Sequence, residues 1–150
     1  RTMDFSEDGA ILQAADTVRE LLFWDVVSGK QIHNAASVRD VAWHSWTCGL
    51  GWPVRGVFNG SGGKAVDTEV HAVCRSRSRD LVVSGGSSGS VGGLHNYIKL
   101  FRYPCIDRAT PALYGGHAAS VTDIVFMASD DQIVSVGGSD STVFVWNVTR

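Results

Sequence analysis

Gly115-Gly116-His117-Ala118-Ala119-Ser120-Val121 opens the last third of the chain, and Val143-Phe144-Val145-Trp146-Asn147-Val148 closes it. Two apolar runs, 121–126 and 133–136, lie between these ends. Turn-forming residues follow each run: Asp130-Asp131 follows the first, and Gly138-Ser139-Asp140-Ser141 follows the second. Short apolar runs separated by Asp, Gly and Ser are typical of antiparallel β-strands. This stretch therefore predicts three consecutive strands, with Gly-His before the first and Trp-Asn ending the third.

Gly-His and Trp-Asp dipeptides that recur at about 40–45 residues mark the WD repeat, which forms one blade of a β-propeller. The last third of the chain fits one such blade, with Asn147 in place of the usual Asp. Two similar units precede it, and each has a third strand rich in aromatic residues. Their predicted strands are 2–5, 10–14 and 21–26 in the first unit, and 70–74, 81–84 and 97–101 in the second.

These strands are apolar on both faces, as expected when each blade is packed between two others. The fold class is therefore all-β, a WD-repeat β-propeller. Propellers close with typically 4–8 blades, so we expect about three blades of a larger propeller whose remaining blades complete the ring. We divide the chain into a blade at 1–48, a connecting segment at 49–68, and blades at 69–112 and 113–150. We expect an outer strand with a packed loop at 38–54 and a mobile Gly/Ser-rich loop at 85–93.

Composition excludes several function classes. The net charge is −2 over 150 residues, which gives no general attraction to nucleic acid or to a membrane surface. No apolar run approaches the roughly 20 residues of a membrane helix, and no signal peptide is indicated. The three cysteines are widely spaced, which favours reduced thiols in the cytoplasm. The histidines are scattered and Gly62-Gly63-Lys64-Ala65 lacks the rest of a phosphate loop, so we expect no metal and no cofactor.

Several blocks are more specific than a generic Trp-Asp: Phe23-Trp24-Asp25-Val26, Arg39-Asp40-Val41-Ala42-Trp43, Ser45-Trp46-Thr47-Cys48, Gly51-Trp52-Pro53-Val54 and Lys99-Leu100-Phe101-Arg102-Tyr103-Pro104-Cys105. In these blocks the chain resembles the echinoderm microtubule-associated protein-like (EML) family, over nearly its whole length. The resemblance implies a tandem pair of WD-repeat propellers that binds tubulin and microtubules. It also implies a place in the cytoplasm, on the cytoskeleton or in the ciliary axoneme.

Four polar residues of the last blade are predicted to form a structural hydrogen-bond network. In this interpretation the Trp146 indole donates to Ser135, the Ser135 hydroxyl to His117, and the His117 imidazole to Asp140. A Ser-His-Asp hydrolytic triad is the alternative. It requires a serine on a strained, exposed turn, whereas Ser135 lies within a predicted strand. We therefore expect no catalytic residues.

Arg75-Ser76-Arg77-Ser78-Arg79 is the most charged local feature. Its position between two predicted strands indicates a surface hairpin. We expect Arg75, Arg77 and Arg79 to contact an acidic surface such as the glutamate-rich tails of tubulin, with phosphorylation of the serines weakening the attraction. A solvated turn whose arginines only maintain solubility is the alternative.

Two function classes follow. The first is a non-enzymatic microtubule- and tubulin-binding cytoskeletal protein of the EML type. The second is a general WD-repeat scaffold in a ciliary or signalling assembly, which binds other proteins through its propeller faces. Because fold alone does not give function, only the resemblance favours the first.

Overall fold

The computed structural model describes residues 2–16, 20–58, 68–88, 96–107 and 109–149, and these residues form three antiparallel sheets. The first contains β1 (Thr2–Phe5), β2 (Ile11–Ala15), β3 (Leu21–Asp25) and β4 (Gln31–Ile32). The second contains β5 (Thr68–Arg75), β6 (Leu81–Ser88), β7 (Asn96–Arg102) and β8 (Ala112–His117). The third contains β9 (Val121–Phe126), β10 (Gln132–Gly137) and β11 (Val143–Asn147). Within these ranges, no helix has the length and apolar character needed to cross a bilayer.

Neighbouring strands within each sheet follow one another in the chain, so every sheet is an up-and-down meander. All nine predicted strands are present. The sequence interpretation missed β4 and β8, the outermost strands of the first two sheets. Strand β4 has only two residues, and β8 is exposed along Ala112–Gly116 with two glycines. Neither strand carries the apolar pattern that predicts a strand.

The second sheet lies between the other two and is buried on both faces. Alternate residues of β6 point to opposite sides, so Val82 belongs to one apolar cluster and Leu81 and Val83 to another. The first cluster joins the second sheet to Phe23 of β3 and to the segment after β4. The other cluster joins it to Val121 and neighbouring residues of the third sheet. The prediction of strands that are apolar on both faces is confirmed here.

The outer faces of the flanking sheets are exposed. Met3 and Phe5 are 67% and 49% exposed on β1, while Val143 and Val145 are 63% and 59% exposed on β11. Each of the two flanking sheets therefore has one packed face and one open apolar face.

The glycines at the start of the Gly/Ser-rich segment are part of a strand, so the expectation of a loop is wrong for residues 85–88. Positions 89–93 lie outside the described residues, as does Gly62-Gly63-Lys64-Ala65. A Cβ at Gly85 would lie 2.5 Å from Val121 Cγ1, and one at Gly86 would lie 1.7 Å from the Glu69 carbonyl oxygen. These glycines allow backbones to approach closely, as glycine within a strand often does.

Residues 38–54 do not contain the expected outer strand. The segment begins within a 3₁₀ helix, Ala35–Val38, and ends within another, Trp52–Phe58. Between them the chain follows the free edge of β1, where it makes a single antiparallel bridge between Ser6 and Trp43. The expectation of a packed loop is correct, because Trp43 and Trp46 are buried and meet edge to face, with ring centroids 6.2 Å apart.

A buried carboxylate holds this segment on the first sheet. Asp4 is 1% exposed in β1 and accepts from Gln13 Nε2 at 3.1 Å and Ser45 Oγ at 2.7 Å. It also accepts from the backbone N–H groups of Thr47 at 2.9 Å and Cys48 at 3.1 Å. Burial raises the pKa of Asp4, but these hydrogen bonds outweigh it and hold the pKa below its ordinary value.

We predict that Asp4→Asn lowers the free energy of unfolding at neutral pH by about 2–4 kcal/mol, because an amide cannot accept from all of these donors. Since the folded-state pKa is lowered, the ionised carboxylate stabilises the fold above the ordinary aspartate value of about 4. This stabilisation disappears as the pH falls through the lowered pKa. Urea unfolding measured from pH 7 downwards should show that the difference in the free energy of unfolding between wild type and Asp4→Asn becomes smaller below about pH 4. A constant gap would contradict the assignment, and Asp107→Asn, on the surface, is the control.

Candidate functional site

His117 is the last residue of β8, and its ring packs against the third sheet. The imidazole Nε2 lies 2.7 Å from Ser135 Oγ in β10. The Trp146 indole in β11 donates to the same hydroxyl at 2.8 Å. His117 and Phe144 meet edge to face, with ring centroids 4.8 Å apart. The structure therefore brings His117, Ser135 and Trp146 together.

Asp140 lies beside His117, but a threonine stands closer to the ring. Asp140 Oδ2 is 3.4 Å from His117 Nδ1, whereas Thr142 Oγ1 is 2.9 Å from the same nitrogen. Because the Trp146 N–H donates to Ser135 Oγ, we assign the tautomer in which His117 Nε2 accepts from the Ser135 hydroxyl and Nδ1–H donates to Thr142, which gives both ring nitrogens a partner. Sequence reasoning missed Thr142, although it lies only two residues after Asp140.

Asp140 has a second role at the start of the third sheet. Its Oδ2 accepts from the backbone N–H groups of Ala118 at 2.9 Å and Ala119 at 3.1 Å. Desolvation raises the pKa of Asp140, but these bonds and those from Thr142 hold it below its ordinary value. The β10–β11 turn is thereby fastened to the connection that follows β8.

This arrangement joins two sheets and gives no access to a substrate. Ser135 is 0% exposed and His117 is 1% exposed, and the Ser135 oxygen is already shared between the indole and the imidazole. Among the described residues, no group of three or more His, Cys, Asp or Glu side chains is arranged to hold a metal ion. Burial raises the pKa of the Cys48 and Cys105 thiols to about 12 and about 11, so neither thiol ionises near neutral pH.

We predict that Ser135→Ala lowers the free energy of unfolding by about 2–4 kcal/mol, because it leaves the Trp146 N–H and the His117 Nε2 without their shared partner. Ser139→Ala, at an exposed position in the β10–β11 turn, should change it by no more than about 0.5 kcal/mol. Chemical denaturation of both variants checks this. Equal stability of the two variants would show that the network contributes nothing.

The arginine hairpin is the turn between β5 and β6, and its three arginines differ in environment. Arg75 is only 9% exposed. Its Nη2 donates to the carbonyl oxygens of Trp43 at 2.7 Å and His44 at 3.2 Å, and its guanidinium lies 5.4 Å from the centre of the Tyr103 ring. The expectation of three surface arginines is therefore wrong at Arg75, which fastens residues 43–46 to the second sheet.

Arg77 and Arg79 are exposed, and their turn is tied to the turns on either side. Arg79 forms an ion pair with Glu7 in the β1–β2 turn. On the other side, Asp130 of the β9–β10 turn accepts from the backbone N–H groups of Arg77 at 2.9 Å and Ser78 at 2.8 Å. We call the three turns at 6–10, 76–80 and 127–131 the turn rim. The Arg77 side chain has no ion-pair partner among the described residues.

We predict that Arg75→Gln destabilises the protein by about 2–4 kcal/mol, because two carbonyl groups lose a charged donor at a buried site. The matched change Arg77→Gln should alter the free energy of unfolding by less than about 0.5 kcal/mol. Thermal and urea unfolding of the pair separate a structural arginine from a surface one. The interpretation fails if Arg77→Gln is the more destabilising change.

Trp52, which lies within the segment 38–54 expected to be packed, forms a separate exposed feature. Trp52 is 50% exposed, and the guanidinium groups of Arg39 and Arg55 lie 5.7 Å and 5.1 Å from its ring centre. Arg55 also pairs with Asp107 at 3.4 Å. Trp52 therefore belongs to a charged surface and not to the packing of Trp43 and Trp46.

Successive antiparallel meanders, packed face to face and joined by a His-Ser-Trp network, define a WD-repeat β-propeller protein. The family model described as "Echinoderm microtubule-associated protein second beta-propeller" matches residues 1–148. The chain therefore belongs to the echinoderm microtubule-associated protein family, as the sequence blocks predict, and its sheets are blades of that family's second propeller.

Curated relatives agree with this assignment. Echinoderm microtubule-associated protein-like 3 of Homo sapiens is 36% identical over 149 residues, which cover 97% of this chain and 15% of the relative. Echinoderm microtubule-associated protein-like 1 of Homo sapiens is 34% identical over 148 residues, covering 97% and 17%. Echinoderm microtubule-associated protein-like 2 of Rattus norvegicus is 36% identical over 148 residues, covering 97% and 21%. The chain thus spans about a fifth or less of the length of these relatives.

Proposed function

We propose that the chain is a non-enzymatic part of a cytoskeletal protein that binds microtubules through tubulin. Family membership carries this proposal, because the matching relatives are microtubule-associated proteins by name. The buried, saturated environment of Ser135 and His117 supports a structural role for the polar residues that most resemble a catalytic set. The proposed location is the cytoskeleton, in the cytoplasmic microtubule array or the ciliary axoneme.

Within the arginine hairpin, Arg77 is the residue best placed to meet tubulin. Arg75 is committed to the Trp43 and His44 carbonyl groups, and Arg79 is paired with Glu7. Arg77 is exposed at the tip of the turn, and a guanidinium there fits a glutamate carboxylate in two parallel hydrogen bonds. The proposed contact with tubulin is therefore centred on Arg77 and does not include all three arginines. Arg79 joins it only by exchanging its ion pair with Glu7 for one with an acidic residue of tubulin.

We predict that Arg77→Glu in the full-length protein weakens microtubule co-sedimentation by about three- to ten-fold at low salt, because it replaces an attraction with a repulsion at an exposed site. The difference from wild type should shrink as salt screens the charges. Lys30→Glu, exposed in the β3–β4 turn, makes the same change in net charge and should bind as wild type does.

Three outcomes separate the possibilities. If the protein pellets with microtubules and only Arg77→Glu weakens pelleting, the result supports both microtubule binding and the contact at Arg77. If Arg77→Glu pellets as wild type does, the proposal of microtubule binding stands, and the contact lies elsewhere on the protein. No pelleting of the wild type at any salt concentration contradicts microtubule binding and favours the general WD-repeat scaffold.

A further inference from the structure

Ser78 occupies the centre of the turn rim. Its backbone N–H donates to Asp130 Oδ2 at 2.8 Å, and its hydroxyl donates to Asp80 Oδ1 at 2.5 Å. The next residue, Arg79, carries the ion pair to Glu7. The contacts of the second sheet's turn with both neighbouring turns therefore converge on Ser78 and the residues on either side of it.

The two serines of the hairpin differ in accessibility. Ser78 is exposed at the tip of the turn. Ser76 is 1% exposed, and its oxygen accepts from the Leu81 N–H at 3.0 Å and lies 3.0 Å from Asp80 Oδ1. An enzyme acting on the folded protein reaches the Ser78 hydroxyl and not the Ser76 hydroxyl.

The residues beside Ser78 provide a recognition signal. Arg77 and Arg79 flank it directly, and both side chains are exposed. Two guanidinium groups around a serine are complementary to a kinase whose peptide-binding groove is acidic. Arg75, three residues before Ser78, is buried and cannot contribute to recognition in the folded protein.

We propose that Ser78 is a phosphorylation site for a Ser/Thr kinase that recognises flanking arginines, and that the phosphate loosens the second sheet's turn from its two neighbours. In the reaction the Ser78 Oγ attacks the γ-phosphorus of ATP and forms a new O–P bond. The bond from that phosphorus to ADP breaks, ADP leaves, and the hydroxyl proton passes to the kinase's general base. This inference is independent of microtubule binding.

The charges around Ser78 determine the effect of the phosphate. A phosphoserine carries a charge of about −1.5 to −2 at pH 7. It replaces the hydroxyl that donates to Asp80, and it is carried by the residue whose backbone N–H binds the Asp130 carboxylate, so both carboxylates repel it. The cations adjacent to it in the chain are Arg77 and Arg79, and pairing of Arg79 with the phosphate removes it from Glu7. Both connections of the turn are weakened by the same modification.

The test uses the full-length protein with Mg-ATP and, separately, the catalytic domains of protein kinase A and protein kinase C, which act on basic sequences. Tandem mass spectrometry locates the phosphate in wild type, in Ser78→Ala and in the control Ser139→Ala. Hydrogen exchange then compares the backbone amides of Arg77 and Ser78, which donate to Asp130, before and after phosphorylation. Ser78→Glu and Ser78→Gln are measured beside them as a charged and a neutral substitute.

We expect phosphate on Ser78 in wild type and in Ser139→Ala. The Arg77 and Ser78 amides should then exchange about ten-fold faster, as expected when one charge-assisted hydrogen bond is lost. Exchange of the amides in the buried strand β6 should be unchanged. Ser78→Glu should accelerate exchange of the Arg77 and Ser78 amides more than Ser78→Gln does. Absence of phosphate on Ser78 with both kinases would overturn the proposal. Equal labelling of Ser76, or phosphorylation without faster exchange, would overturn it too.

Discussion

Burial of the second sheet on both faces is the constraint on which the rest of the molecule depends. A strand with only one apolar face can expose its other face to water. In β6, however, Val82 points toward one neighbouring sheet, and Leu81 and Val83 point toward the other. Burying a side chain of this size stabilises a fold by roughly 1.5–3 kcal/mol. The second sheet therefore needs both neighbours, and the polar contacts fix how these neighbours are placed.

Those contacts join side chains and backbone at both junctions. Between the second and third sheets, the Trp146, Ser135, His117 and Thr142 side chains follow one another in a row, and the Asp130 carboxylate accepts from the Arg77 and Ser78 backbone. Between the first and second, charged groups bind backbone. The Asp4 carboxylate accepts from Thr47 and Cys48, and the Arg75 guanidinium donates to Trp43 and His44. One segment of irregular chain is thus held from both sides, which allows it to pack without forming a strand.

Local pattern was sufficient to predict much of this structure, and the failures have physical causes. Strands such as β9 and β10 were predictable because an apolar run bounded by turn residues depends only on nearby sequence. A structural association of His117, Ser135 and Trp146 was predicted from the WD-repeat interpretation of the last blade. The role of Asp4 did not, because its donors Ser45 and Thr47 lie 41 and 43 residues away. Arg75 was wrongly predicted to be exposed, because alternating Arg and Ser residues are typical of a surface. It is instead the last residue of β5, and its side chain is buried. The glycines after Ser84 suggested mobility, whereas Gly85 lies against Val121.

The position of His117 links the folding of one sheet to the folding of the next. The residue belongs to β8 by its backbone, where it pairs with Asn96, and to the third sheet by its side chain. Opening β8 from the second sheet therefore removes a partner from Ser135 and Thr142 as well. In repeat proteins, coupling between neighbours of this kind makes an array unfold cooperatively instead of one repeat at a time. The His117 imidazole thus extends the cooperative unit across the boundary between the second and third sheets.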